Sequence, residues 1–140
     1  MDIREYLGQV AMLDRILENK ELERLRLKTL ASSIPSPGAG VRVRSSGPVD
    51  RLSTAVNSWV DMEQQLDGEI GVLLRQRQER VSLLQQLTDP REYGVLHQHY
   101  IQHMTLEQIA EATGKSYTWA AGLHRQALRS AQSLLDARPV

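Results

Sequence analysis

An all-α fold is what this sequence predicts, and three observations carry the prediction. Apolar residues recur every three or four positions through most of the chain. Leu, Ala, Gln, Glu and Arg, all good helix formers, dominate the composition. No alternating strand pattern is longer than Val41–Arg44. The helices group into two parts: residues 1–88 read as a long antiparallel, coiled-coil-like helical hairpin with a flexible loop at 32–48. Residues 89–136 read as a helix-turn-helix unit, followed by a tail at 137–140.

The first helix is predicted from Asp2 to about Leu30. Ile3, Leu7, Val10, Leu13 with Asp14, Leu17, and then Leu22, Leu25 and Leu30 step by three and four, with charged residues on the other faces. Gly8 costs about 1 kcal/mol relative to Ala without breaking the pattern. The stretch Ser32–Pro48 then holds three prolines, three glycines and five serines, which is too much backbone freedom for a helix. It reads as a surface loop; Arg42 and Arg44 within it are the only hint of a basic arm that would touch phosphate.

A second, longer helix is predicted from Val49 to about Thr88. Leu52, Val56, Trp59, Glu63, Leu66, Ile70, Leu73, Arg77, Val81, Leu84 and Leu87 form a near-heptad seam. Forty residues at 1.5 Å each make a rod of about 60 Å, which needs a partner along its length. The first helix, returning antiparallel, covers about two thirds of it, and a second copy of the chain would cover the rest. Glu63 and Arg77 are polar seam positions suited to fixing register. Gly68 and Gly71 either admit a close helix crossing or mark a bend.

Asp89-Pro90 ends the long helix, because the residue before proline is pushed out of the helical region while proline suits a first turn. A third helix is predicted from Arg91 to about His103, with Tyr93, Leu96, Tyr100 and Ile101 inside. Thr105 and Gln108 have the spacing of a capping box, and Leu106, Ile109, Ala110 and Ala112 follow helical spacing. Gly114 suits a left-handed stop, and Ser116 caps a last helix whose inner stripe is Ala120, Leu123, Ala127 and Leu128. That helix runs to about Leu135. A capped helix, a glycine turn and a second capped helix form a helix-turn-helix signature.

Charge and composition bound the function. Seventeen basic residues balance seventeen acidic ones, so the whole chain carries no nucleic-acid signal. The unbalanced part is local: Thr113–Leu135 has no acidic residue but contains Lys115, Arg125 and Arg129. There is no cysteine, which removes disulfides and thiolate metal sites. No apolar run approaches the roughly 18 residues a membrane span needs, and Asp2 and Glu5 interrupt any signal-like start. The expectation is a soluble protein of the cytoplasm with no membrane partner.

From Tyr93 to Leu135, the run YGVLHQHYIQHMTLEQIAEATGKSYTWAAGLHRQALRSAQSLL resembles region 4 of bacterial sigma factors. The shared features are a tyrosine before an apolar residue, T-L-E-Q-I-A, a glycine turn, a serine and a late A-L pair. Over about residues 1–135 the layout is also similar to small phage-encoded proteins allied to phage late-gene transcriptional regulators. The carrying features there are the loop ending R-V-R-S-S-G, V-x-x-W-V-D-M-E in the long helix, the D-P break and G-L-H-R-Q-A-L near the end. These resemblances imply a phage origin, a role in transcription and a last helix lying in the DNA major groove. Carried over position by position, Tyr117, Thr118, Ala121 and Gly122 would face the groove, with Ser116, Trp119 and Arg125 beside them. Lys115 and Arg129 would lie near phosphate. Sigma-like modules usually have charged or amide side chains at several of these positions, and Ala121 and Gly122 depart from that.

Other chemistry is thinly represented. His99 and His103 have the i, i+4 spacing of a zinc-binding helix and His97 is near, but neither the hydrolytic glutamate nor a further ligand accompanies them. No metal and no cofactor is expected. Nothing resembles a phosphate-cradling loop, an activated nucleophile or a catalytic carboxylate pair, so the chain reads as a non-enzyme. The expectation is a phage-type DNA-binding transcriptional regulator whose partners are double-stranded DNA, RNA polymerase and a second copy in a dimer. The alternative is a protein–protein adaptor that mimics sigma region 4 and docks on polymerase or another host factor.

Overall fold

A computed structural model describes residues 1–32 and 46–139. Those residues are mostly helical: α1 (Ile3–Ser32), α2 (Ser46–Gln85), α3 (Pro90–Leu96), a π-helical turn (His97–Ile101), α4 (Leu106–Thr113) and α5 (Tyr117–Asp136). No strand occurs among them, and no helix is long and apolar enough to cross a membrane. Most of the loop expected at 32–48, including Arg42 and Arg44, lies outside the described residues. Its two ends are helical instead, with Ser32 closing α1 and Ser46–Pro48 opening α2. Pro48 is compatible with this because a first-turn N–H has no helical partner to lose.

Backbone contacts divide the chain into two compact units, Met1–Arg15 with Leu74–Val140, and Ile16–Leu73. The Asp89-Pro90 break therefore lies inside the first unit. That unit is built around Leu7 and Val10 of α1, Leu83 and Leu84 of α2, Leu96 of α3 and Ile109 of α4, all essentially without exposure. Ala127, Leu128 and Ala131 of α5 complete the same core. Removing a Leu side chain from such a position costs about 2–5 kcal/mol. Arg77 of α2 donates to Asp14 of α1 (2.8 Å), and Arg80 donates to the Tyr6 carbonyl (3.0 Å) and to Gln9, so the two segments run antiparallel in this unit. The guanidinium groups of Arg80 and Arg138 both lie over the Tyr6 ring, 4.4 and 5.4 Å from its centroid. Arg138 also donates to the Tyr6 hydroxyl (2.6 Å), so the stretch expected as a tail is fastened.

In the second unit Leu17 and Leu27 of α1 and Leu66 and Ile70 of α2 are buried, with Lys20–Glu69 (2.7 Å) and Arg24–Asp67 (2.9 Å) beside them. Leu22, Leu25 and Leu30, expected on the inner stripe, are exposed, Leu22 and Leu25 at 60%. Continuing from Leu17 in steps of three and four leads to Lys20, Arg24 and Leu27. The inner face thus passes through two basic residues whose aliphatic stems cover it while their charged ends reach carboxylates. Leu52, expected in the α2 seam, is exposed as well. A Cβ added at Gly68 would meet nothing within 4 Å, so Gly68 does not serve a close helix crossing.

The helix ends follow local chemistry. α2 stops at Gln85, short of Thr88, because Gln86 and Leu87 donate to Leu83 and Leu84 in tight three-residue turns (both 3.1 Å). Asp89 then caps α3 through the Arg91 N–H (2.9 Å). The helix expected to reach His103 changes to the wider π spacing at His97. The Gln102 N–H reaches the His97 carbonyl (3.0 Å), and the chain reverses at His103 with φ of 60°. Thr105 and Gln108 form both bonds of the capping box, 2.9 and 3.1 Å. Gly114 is left-handed (φ 68°), and the Lys115 and Gly114 N–H groups close on Ala110 (3.0 Å) and Glu111 (3.2 Å) as in a Schellman motif. Ser116 accepts from the Trp119 N–H (3.1 Å). Ala112, expected inside α4, is exposed.

These ends make a stability test. Gly114→Ala forces a Cβ into the left-handed region and is expected to cost about 1–2 kcal/mol. Thr105→Ala removes the cap and is expected to cost about 1 kcal/mol. Urea unfolding midpoints of both variants check the values.

Candidate nucleic-acid interface

Helix α5 divides its residues by the helical period. Ala120, Ala127 and Ala131 are fully buried and Leu128 nearly so. Lys115, Ser116, Tyr117, Thr118, Arg125 and Arg129 are exposed, while Trp119, Ala121 and Gly122 are half-buried. The nine candidate residues are therefore all at the surface wholly or in part. Ser116 is spent on the backbone as the helix cap, leaving its hydroxyl little freedom to read a base. Tyr117 projects from the first turn at 51% exposure. Lys115 lies 5.8 Å from the Trp119 ring centroid, a cation–π distance. At Gly122 an added Cβ would meet only the Arg125 guanidinium, at 3.9 Å, so that side chain reaches back over a smooth Ala121–Gly122 floor.

Behind this face lies a cluster of rings. The Tyr100 hydroxyl is 3.1 Å from His124 Nε2, and the two rings stack with centroids 5.7 Å apart. His99 stands edge-on to both, and its Nδ1 donates to the Met104 carbonyl (2.7 Å). His124, expected to face inward, is half-buried. Burial, His99, Arg4 and Arg125 all disfavour its charged form and bring its pKa to about 4. A neutral imidazole follows at physiological pH, so His124 adds no positive charge to the face. The other histidines are dispersed: the Gln102 amide donates to His97 (3.1 Å), and His103 Nε2 donates to Asp14 (2.7 Å). Burial raises the Asp14 carboxyl, but its bonds to Arg77 and His103 outweigh this and hold it below the ordinary value. Among the described residues no group of three or more such side chains is arranged to hold a metal ion.

Two participants escape a linear reading. Glu92 is buried (5% exposed) with no basic partner among the described residues. Ser130 donates to it at 2.6 Å and Gln126 at 3.5 Å, and it lies in the first turn of α3, where the helix dipole favours a negative charge. It ties α3 to α5 and so fixes the rotation of the candidate face. Arg4, more than a hundred residues away in sequence, shares a surface groove with Arg125 and Arg129. Neither had a signal beyond being a charge on an amphipathic helix.

His124 gives a pH test. In the unfolded chain its imidazole titrates near 6.5 and in the folded chain near 4. The unfolded state therefore binds the extra proton first as acid is added. The stability contributed is complete above about 6.5 and is lost as the pH falls towards about 4. The urea midpoint is expected to drop between pH 7 and pH 4.5, and His124→Gln is expected to reduce that drop.

No family model, curated protein or solved structure matches the chain.

Proposed function

We propose that the protein is a phage-type DNA-binding transcriptional regulator, in which α4, the Gly114 turn and α5 act as a sigma-region-4-like helix-turn-helix. The observation that carries this reading is the division of α5. Its inner side is fastened into a core through three alanines, and its outer side joins Tyr117 and Thr118 to Arg125 and Arg129 with no acidic residue between Thr113 and Leu135. A helix held rigidly from behind, capped by Ser116 and free of negative charge in front, has the properties required to enter a major groove. Tyr117, Thr118, Trp119 and Arg125 would lie near bases, and Lys115 and Arg129 near phosphates.

From Asp89 to the end, Arg91, Lys115, Arg125, Arg129 and Arg138 are opposed by Asp89, Glu92, Glu107, Glu111 and Asp136. A module so nearly neutral binds weakly by itself, which favours a second copy or RNA polymerase as co-binder. Antiparallel ion pairs between α1 and α2 within each compact unit support a helical hairpin. Exposed Leu22, Leu25, Leu52 and Met62 supply apolar surface for a homodimer. A host bacterial cytoplasm is the compartment this reading requires.

A second reading is an adaptor that docks on polymerase. Half-exposed Tyr117 beside the side-chain-poor Ala121–Gly122 floor favours it, since aromatic residues are enriched at protein interfaces. A mobility shift with DNA flanking the protein's own gene separates the two. The DNA reading expects a retarded complex at low salt that Arg125→Ala weakens about tenfold, corresponding to the about 1–3 kcal/mol of one good base contact. Absence of retardation, with nuclease-resistant capture of polymerase from host lysate, would establish the adaptor instead. Solution mass in the same preparation tests the dimer.

A further inference from the structure

The start of α1 lies against α5 in a defined way. The Ile3 N–H donates to Gln132 Oε1 (2.7 Å), and Gln132 Nε2 donates back to the Met1 carbonyl (3.0 Å). Between them runs a groove of about 260 Å³, with Ile3 and Leu128 among its apolar lining and Arg4, Arg125 and Arg129 among its polar lining. None of the three arginine side chains forms an ion pair or a hydrogen bond among the described residues. Arg125 and Arg129 are one helical turn apart, where like charges oppose each other. Arg4 brings a third positive charge to the same groove from a different helix, and both Arg4 and Arg125 act electrostatically on His124. The one carboxylate lining the groove, Asp2, accepts the Arg4 backbone N–H at 2.7 Å through Oδ1.

Three unpaired guanidinium groups over an apolar floor, two on one helix and one on another, suit a tetrahedral oxyanion, because each presents several N–H donors in a planar fork. We propose that Arg4 and Arg129, with Arg125 beside them on its way to the bases, hold a phosphodiester group of the DNA backbone, making the first turn of α1 part of the interface. This rests on the DNA-binding reading and extends it. An anion in the groove relieves the repulsion between Arg125 and Arg129 and joins the N-terminal helix to α5. A backbone phosphate carries no sequence information, so Arg4 sets affinity and salt response, not base preference.

The test compares the intact protein with Arg4→Gln and Arg4→Lys on duplex DNA across a salt series. Arg4 is exposed, and its backbone bond to Asp2 is kept in both variants, so both are expected to fold; circular dichroism checks this. Arg4→Gln is expected to weaken binding to every sequence by about the same factor and to reduce the slope of log K against log salt by about 1. Arg4→Lys is expected to recover most of that slope. An unchanged slope and affinity in Arg4→Gln, with the parent protein still binding DNA, would overturn the cradle and leave the DNA reading standing. Failure of the parent protein to bind DNA would overturn both. A parallel titration with inorganic phosphate, followed by the arginine Nε resonances, distinguishes the source of the anion. Shifts only at concentrations far above those of DNA phosphate agree with the proposal, and saturation at low free phosphate without DNA binding contradicts it.

Discussion

Three alanines, Ala120, Ala127 and Ala131, together with Leu128, make the inner face of α5, and all four are buried. Side chains this small allow neighbouring helices to approach closely, since interaxial distance follows the size of the residues at the contact. α5 accordingly meets both α3 and α4, while Gln132 on its flank holds the start of α1 through the Ile3 N–H. The positions of α3, α4 and the start of α1 are tied to this packing. The buried Glu92, held by Ser130 and Gln126, works with it by preventing α5 from rotating about its own axis. A larger residue at Ala120 or Ala127 would lift the helix and alter every surface that depends on it.

The same packing decides what the opposite side presents. With 3.6 residues per turn, burying positions 120, 127, 128 and 131 turns 117, 118, 125 and 129 outward. His124 falls at the boundary, is drawn towards Tyr100 and stays neutral, which leaves the positive charge of this face to the lysine and the arginines. The Arg125 guanidinium lies at ordinary contact distance, 3.9 Å, from where a Cβ at Gly122 would stand. Fold and candidate site are two sides of one helix.

Much of this was legible in the sequence because it is local chemistry. The capping box at Thr105 and Gln108, the left-handed Gly114, the Ser116 cap and the Asp89-Pro90 break each need only residues within five positions of one another. The inner stripes of α5 and of the first half of α1 were legible for the same reason. The second half of α1 was not, because leucine attracts the eye to Leu22, Leu25 and Leu30 although the helical period passes through Lys20 and Arg24. These bury their stems and pair with Glu69 and Asp67, which lie over forty residues away. The π-helical turn at His97–Ile101 and the reversal at His103 also left no trace in the local pattern; the partner of His103, Asp14, is 89 residues away and meets it at the surface. Arg4 is the plainest case: only the folded chain brings it to Arg125 and Arg129.

The chain has two tryptophans, and they divide the molecule usefully. Trp119 is on the candidate face of α5, and Trp59 is on α2 in the other compact unit. Their indole N–H resonances report separately, so a titration of the intact labelled protein with duplex DNA at low salt reads the location of binding directly. Binding through α5 is expected to shift and saturate the Trp119 resonance while the Trp59 resonance stays in place. A shift of Trp59 alone, or a titration that moves neither, would contradict it.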